Sequence, residues 1–470
     1  MVDRILTPNS KVEAFFMNFV YAGVDLGVTS NHKTTVLNGM GKKIKSALSF
    51  GTSTKEYDAF INHCLSGQPS NITIKAICEP TGMAWFPLAQ YLISRNHKVY
   101  RVKSEKVSDL RKYYKKHTKT DAIDSETLAK MPIVDEDSLY EVYLPDAKTH
   151  ALDRKCKQRE KITVSAASRK NRLRAIYSFS CPQLISCFKD PYSERARGFY
   201  SKYTNPFKVI KLGVPRLKKF LAKFTREKMD QALAQEIYDA CLDAVHIYQQ
   251  GNYIDFDELQ EEVNVELRLL ASEEAEIELL TSQINRLYED LHPSDNLRTI
   301  PGIGPTLAPI LLASIGDPTR FGNQREFKCF TGLIPGKDES GSSDRKGVKI
   351  TKAGRRSLKR ALYLAAEKGR QWDPELAKCY YDQMVHKGNC HTQAVCAVAT
   401  KLASRIISVL KNDVPYQIRD LDGNPISMAQ GREIIQATLK VTEEVRKRKR
   451  SRKVVENKKE DHDKGCSRAS

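Results

Sequence analysis

The sequence lacks the marks of several common protein classes. It has no CxxC pair, and none of its 11 cysteines stands at a spacing to histidine that fits a structural zinc site. Cys390, His391 and Cys396 fall together, but on a stretch that reads as an apolar helix, so packed thiols in a reducing compartment are the expectation. No apolar run approaches the roughly 20 residues that span a bilayer, and no secretory signal opens the chain. The protein is therefore expected inside the cell and away from membranes. Acids are also short: 57 Asp and Glu face 77 Lys and Arg, a net charge of +20.

That surplus is not confined to one place. Residues 446–470 hold 11 basic and 4 acidic residues, which is +7 of the +20 and leaves +13 for residues 1–445. A basic folded body suits a polyanionic partner, because each neutralised phosphate releases counterions. A solubilising surface is the bland alternative. At 470 residues and 40% hydrophobic content, the chain is long enough for two or three domains.

The pattern along the chain divides it further. Residues 1–17 read as a loosely ordered leader. Residues 18–135 show three strands (19–25, 34–37 and 43–48), with Asn38-Gly39 as a turn, and then alternating helix and strand: helix 55–65, strand 72–77, helix 85–93, strand 99–102. This is an α/β domain whose order resembles the RNase H-like fold. Residues 136–295 are mostly helical and rich in arginine. Their last part, 258–291, carries a seven-residue apolar repeat at Val263, Leu270, Ile277, Ile284 and Leu291, with Glu266 and Glu273 breaking the companion row. One long helix and a short coiled coil are expected, either in a dimer or in a hairpin within the chain; packing on its own domain is the alternative. A second globular unit covers 296–413, followed by an extension at 414–445. The tail, 446–470, is charged and nearly free of apolar residues, so it is expected to be disordered and to add salt-sensitive affinity for nucleic acid, unless it is a localisation signal.

Four acids stand out by context. Asp25 ends a buried strand in Gly23-Val24-Asp25-Leu26-Gly27, where a lone carboxylate is costly unless paired or bound to metal. Glu79 ends another strand, in Cys78-Glu79-Pro80-Thr81-Gly82. Asp121 and Asp124 lie three apart on a helix, hence on one face. Together they could form an oxygen-rich pocket for two Mg²⁺ ions, which activate an attacking oxygen and stabilise a leaving one in phosphoryl transfer. Each acid alone reads more simply as a turn former or a solvated helix face.

Thr299-Ile300-Pro301-Gly302-Ile303-Gly304-Pro305-Thr306-Leu307-Ala308 has the form of a helix-hairpin-helix. Gly302 and Gly304 allow a tight turn, and the following helix start offers N–H groups to a DNA phosphate. A plain packing corner is the alternative. Further on, Glu339-Ser340-Gly341-Ser342-Ser343-Asp344 leads to Ile350-Thr351-Lys352-Ala353-Gly354-Arg355-Arg356. The composition is that of a flexible loop. A serine hydroxyl there could approach a phosphodiester held by Lys352, Arg355 or Arg356.

These motifs, in this order, resemble the DEDD transposases of the insertion-sequence-110 family. The resemblance runs over roughly 20–130 and 296–411. It rests on the three acidic motifs, Ile300-Pro301-Gly302-Ile303-Gly304, Phe330-Thr331-Gly332-Leu333-Ile334-Pro335, Ser340-Gly341 and Ile350-Thr351-Lys352-Ala353-Gly354. It implies a RuvC-like, RNase H-like N-terminal domain whose Asp25, Glu79, Asp121 and Asp124 bind Mg²⁺, a coiled-coil linker, and a mostly α C-terminal transposase domain with the helix-hairpin-helix. It also implies a catalytic serine that becomes joined to DNA, a structured guide RNA encoded in the element, donor and target DNA as substrates, and a homodimer or tetramer in bacterial or archaeal cytoplasm at the nucleoid. Two positions depart from the family. Ser340-Gly341-Ser342 replaces a Ser-Ser-Gly-Gly-like run, which assigns the nucleophile to Ser340 but leaves Ser342 and Ser343 open. Asp124-Ser125 stands where Asp-Ala is commoner. A junction-resolvase-like, Mg²⁺-dependent endonuclease without a covalent intermediate is the competing activity, and a non-catalytic nucleic-acid binder is the third.

Overall fold

A computed structural model describes residues 18–114, 120–136, 139–224, 231–249, 253–334, 339–340, 343–344, 350 and 354–447. They fall into two compact units, divided between Leu144 and Pro145.

The first unit is a six-stranded sheet with helices. Its chain order is β1 (Phe19–Asp25), β2 (His32–Asn38), β3 (Lys43–Phe50), α1 (Thr54–Leu65), β4 (Thr73–Cys78), α2 (Trp85–Ile93), β5 (Lys98–Arg101), α3 (Ser104–Tyr114), α4 (Asp121–Val134) and β6 (Tyr140–Glu141). The spatial order is β3-β2-β1-β4-β5-β6. The first three strands are antiparallel, β4 and β5 run parallel to β1, and β6 closes the edge antiparallel to β5. This mixed sheet has the strand order expected of an RNase H-like domain. Hydrophobic runs place β1 and β4 at the centre, where both faces are covered. Val20, Ala22 and Val24 face a core shared with Phe60, Leu88 and Leu92. Phe19, Tyr21 and Ile77 face the other way, onto Val107, Leu128 and Ala129.

The second unit is helical among its described residues, apart from one short hairpin. Its first long helix, α5 (Ala147–Ser180), is followed by short helices and by α6 (Gln231–Tyr248), then by α7 (Phe256–Leu291). α5 and α7 run antiparallel, since Lys148 meets Asp290, Lys155 meets Gln283, Ser165 meets Glu273 and Arg172 meets Glu262. The 258–291 repeat is thus one continuous helix whose described partner lies in the same chain. Charge sets the pairing: α5 holds 10 basic and 2 acidic residues, and α7 holds 11 acidic and 2 basic ones. Glu266, which interrupts the apolar row, is buried between Arg169 and Arg172 at 3.3 and 3.1 Å. An arginine-clamped carboxylate thus stands in the apolar row, with its buried charge paired to the facing helix.

The rest of this unit comprises α8 (Leu307–Ile315), α9 (Gln324–Thr331), a hairpin of β7 (Glu339–Ser340) and β8 (Ser343–Asp344), α10 (Arg356–Gly369), α11 (Pro374–Tyr381), α12 (His391–Asn412), α13 (Met428–Thr438) and α14 (Glu443–Arg446). By length and composition α12 could cross a membrane. It is the central helix of this core, with Val395, Val398, Leu402 and Ile406 packed against Ile303, Phe327, Leu358 and Leu376. The cysteines of the described residues are free, and Cys390 caps α12.

Candidate functional site

The acids of the first unit are positioned by two close approaches. In the register of β1 and β4, Val24 pairs with Cys78, so Asp25 and Glu79 sit one residue further along neighbouring parallel strands. Such strands lie about 4.8 Å apart. Side chains alternate along a strand, so Asp25 shares a face with Tyr21 and Gly23, and Glu79 continues the row of Ile77. That face is covered by α4. The helix rests almost directly on β1: a Cβ on Gly23 would lie 2.0 Å from the Ser125 carbonyl oxygen and 2.3 Å from the Ala129 nitrogen.

Thr120 starts α4 by accepting a hydrogen bond from the Ile123 N–H. This puts Asp121 and Asp124 in the first turn, where the helix dipole favours carboxylates. Asp124 is buried at 9% exposure, Asp121 is exposed, and Asp25 and Glu79 are half-buried. Ser125 is fully buried, with its hydroxyl 2.8 Å from that of Thr35 on β2. The serine that departs from the family pattern therefore pins the acid-bearing helix to the sheet.

Two cations that sequence reasoning missed complete the site. Arg111, on α3, donates to Asp124 at 2.8 Å. Lys33, on β2, lies 3.0 Å from Asp121. Their charges turn the two helix-borne carboxylates toward side-chain partners. Among the described residues, no group of three or more His, Cys, Asp or Glu side chains stands close enough to hold a metal ion. Nothing in the local sequence signals either cation, because each partner comes from a different element.

The second unit places the remaining candidates. After a 3₁₀ turn at Asn296–Thr299, Ile303 N–H bonds back to Ile300 C=O around Pro301-Gly302, and Gly302 has φ +89°. Gly302 faces inward, since a Cβ there would lie 2.3 Å from the Ala365 carbonyl of α10. Its glycine identity is explained by packing. Gly304 has open space beside it, and Pro305 and Thr306 are exposed just before α8.

The serine segment is tied at both ends. Gly332 caps α9 with φ +68°. Gly354, with φ +81°, lies so close to α9 that a Cβ would be 2.8 Å from the Phe330 carbonyl and 2.7 Å from that of Thr331. Between them, Ser340 and Ser343 pair across β7 and β8. Ser342 and Lys352 lie outside the described residues. Arg355 caps α10 and sits 3.8 Å from Asp153, and Arg356 begins that helix.

Comparison with known proteins matches two stretches of the chain, the first of which runs past the boundary between the units. Residues 22–182 match the sequence model of a family described as transposase, of the DEDD type of IS110 elements, and residues 294–382 match the Transposase IS116/IS110/IS902 family. The chain is similar to an uncharacterized 43.6 kDa protein of insertion element IS110 from Streptomyces coelicolor, with 26% identity over 85% of this chain and 96% of the relative. It is similar at 21% identity to a 44.8 kDa protein of IS116 from Streptomyces clavuligerus, over 84% of this chain and 95% of that one. A pilin gene-inverting protein of Moraxella bovis is 32% identical over 29% of this chain and 42% of its own length.

Proposed function

Proceeding from the premise that the chain belongs to the IS110/IS116 family of transposases, we propose that it cuts and rejoins DNA with Asp25, Glu79, Asp121 and Asp124 as its charged centre and a serine of the 333–353 segment as nucleophile. The observation that supports this reading is the packing of α4, with Asp121 and Asp124 in its first turn, on Gly23 of the strand that ends in Asp25.

The donor set fits a hard divalent cation, because its groups are carboxylates alone and Mg²⁺ takes oxygen ligands. When bound there, such a cation would supply Lewis-acid stabilisation of charge on the phosphodiester oxygens. Asp124 and Asp121 would hold it after exchanging Arg111 and Lys33 for it, with Asp25 and Glu79 as the strand-borne pair. Arg111 and Lys33 would then be left to face phosphate oxygens.

In the serine step, the Ser340 oxygen bonds to phosphorus, the bond to one DNA oxygen breaks, and that oxygen takes up the proton. Rejoining reverses this: a DNA hydroxyl attacks the phosphoserine ester and the serine leaves. The phosphodiester energy is retained, so no nucleotide cofactor is needed. Lys352, Arg355 and Arg356 follow this segment in sequence and would hold the phosphate, while the N–H groups of Gly304 and Thr306, beside the exposed Pro305, would face the DNA backbone. The proposal extends to a structured guide RNA and to a homo-oligomer, for which the +20 charge and the long α5–α7 pair provide surface.

The test is Asp25→Asn, which keeps size and removes charge. Strand cleavage with Mg²⁺ should fall at least about a hundredfold, as for loss of a group that stabilises a transition state. Binding of the same DNA should stay within a few-fold of the parent protein. Cleavage at the parent rate overturns the carboxylate reading.

A further inference from the structure

The extension beyond residue 413 builds a site that the proposed cleavage reaction does not use. Gly431 of α13 packs so tightly on the loop before α11 that a Cβ would lie 2.3 Å from the Trp372 carbonyl, and Arg432 lies over the Trp372 ring. Val441 and Val445 dock on the core of the second unit. Between this extension and α11 is a cleft of about 390 Å³, within the size range of small-ligand sites.

Its chemistry is one-sided. Arg370, Lys440 and Arg446 all line it, and no carboxylate does. Tyr380 forms part of the wall, with Arg370 stacked 4.0 Å above its ring. Arg446 lines the same wall as Tyr380, whose hydroxyl lies 2.7 Å from Nδ1 of His391. The nearby acids are already engaged: Glu367 with Arg370, and Glu443 with Lys447. Among the described residues, neither Lys440 nor Arg446 pairs with a carboxylate. Arg446 is also the first residue of the cationic run 446–453, so the tail departs from the rim of this cleft.

We infer that this cleft binds one nucleotide of a single-stranded nucleic acid, its phosphate between Lys440 and Arg446 and its base against Ile435 and Leu439. A duplex is too broad to enter a cleft of this size, whereas an unstacked nucleotide offers both an anion and a flat apolar face. DNA and RNA strands share that chemistry. The site is independent of the acids and of the serine segment.

The test uses the full chain and labelled single strands of DNA and of RNA of equal length, read by fluorescence anisotropy. Gln436, exposed on α13, lines the cleft, and its neighbour Ala437 is exposed but does not. Gln436→Glu places an anion in the cleft with no change of size, and Ala437→Glu changes net charge alike outside it. Gln436→Glu should weaken binding of at least one strand by roughly five-fold or more, the effect of about one charged contact, and Ala437→Glu by less than two-fold. The strand that loses more identifies the occupant. Equal responses to the two substitutions, or none, overturn the assignment, provided that both variants keep the parent melting temperature. Because Asp25→Asn leaves this cleft intact, strand binding and cleavage fail separately.

Discussion

Gly23 lies so close beneath Ser125 that a Cβ on it would come within 2.0 Å of the Ser125 carbonyl oxygen. The helix that carries Asp121 and Asp124 therefore packs on β1 only because β1 has no side chain at that point. Gly23→Ala should lower stability by about 1–3 kcal/mol through overpacking. It should also reduce cleavage more than Asp121→Asn does, because it lifts both helix acids together. Thermal unfolding and a cleavage assay check this; an Ala variant with parent stability would mean that α4 yields without cost.

The Arg111–Asp124 pair predicts how the site responds to cations. Both side chains are largely covered, at 20% and 12% exposure. If Arg111 neutralises Asp124 until a divalent ion replaces it, Arg111→Gln should lower the melting temperature in chelator. The variant should then gain more from added Mg²⁺ than the parent does, because ligand binding to the folded state adds stability. The readout is the Mg²⁺-dependent shift of the melting temperature, without any DNA. An equal shift in both proteins would separate Arg111 from the cation site.

The loop that follows Asp25 depends on a histidine. Gly27 N–H donates to Nδ1 of His32 at 3.1 Å, and the ring is wholly buried against Phe50. Burial, opposed in part by Glu56, holds the His32 pKa below its ordinary 6.5. His97 and His292 shift the same way for the same main cause. Below pH 6.5 the unfolded chain takes up protons that these buried rings refuse, so the stability present above pH 6.5 is lost as pH falls toward their folded pKa values. The melting temperature should therefore drop as pH goes from about 7 to about 5. His32→Asn, whose side-chain oxygen can still accept from Gly27, should flatten that drop. A slope unchanged by the substitution would remove His32 from the account.

Much of the first unit is legible in sequence because its strands are short, buried apolar runs. Phe19–Asp25 and Thr73–Cys78 each deliver an acid at their end, and Thr120 caps the helix that carries the other two. What sequence does not show is pairing across elements. Arg111 and Lys33 find their carboxylates only after the sheet is assembled. Glu266 looks like a flaw in an apolar repeat until Arg169 and Arg172 of α5 are seen around it. The two glycines of the 299–308 turn look alike in sequence, yet Gly302 is packed against α10 while Gly304 stands open. The basic cleft is invisible for a similar reason, since Arg370 and Lys440 meet only when the extension folds back on α11.

The most direct test of the whole account is the search for a covalent bond between protein and DNA. End-labelled element DNA is incubated with the full chain and Mg²⁺, then separated under denaturing conditions. The account predicts label migrating with the protein, no such band for Asp25→Asn, and none for Ser340→Ala, while both variants still bind DNA. A band that persists in Ser340→Ala and vanishes in Ser342→Ala or Ser343→Ala moves the nucleophile along the segment. Cleaved DNA with no protein-linked label from an active preparation contradicts the serine mechanism, because water would then be the attacking group.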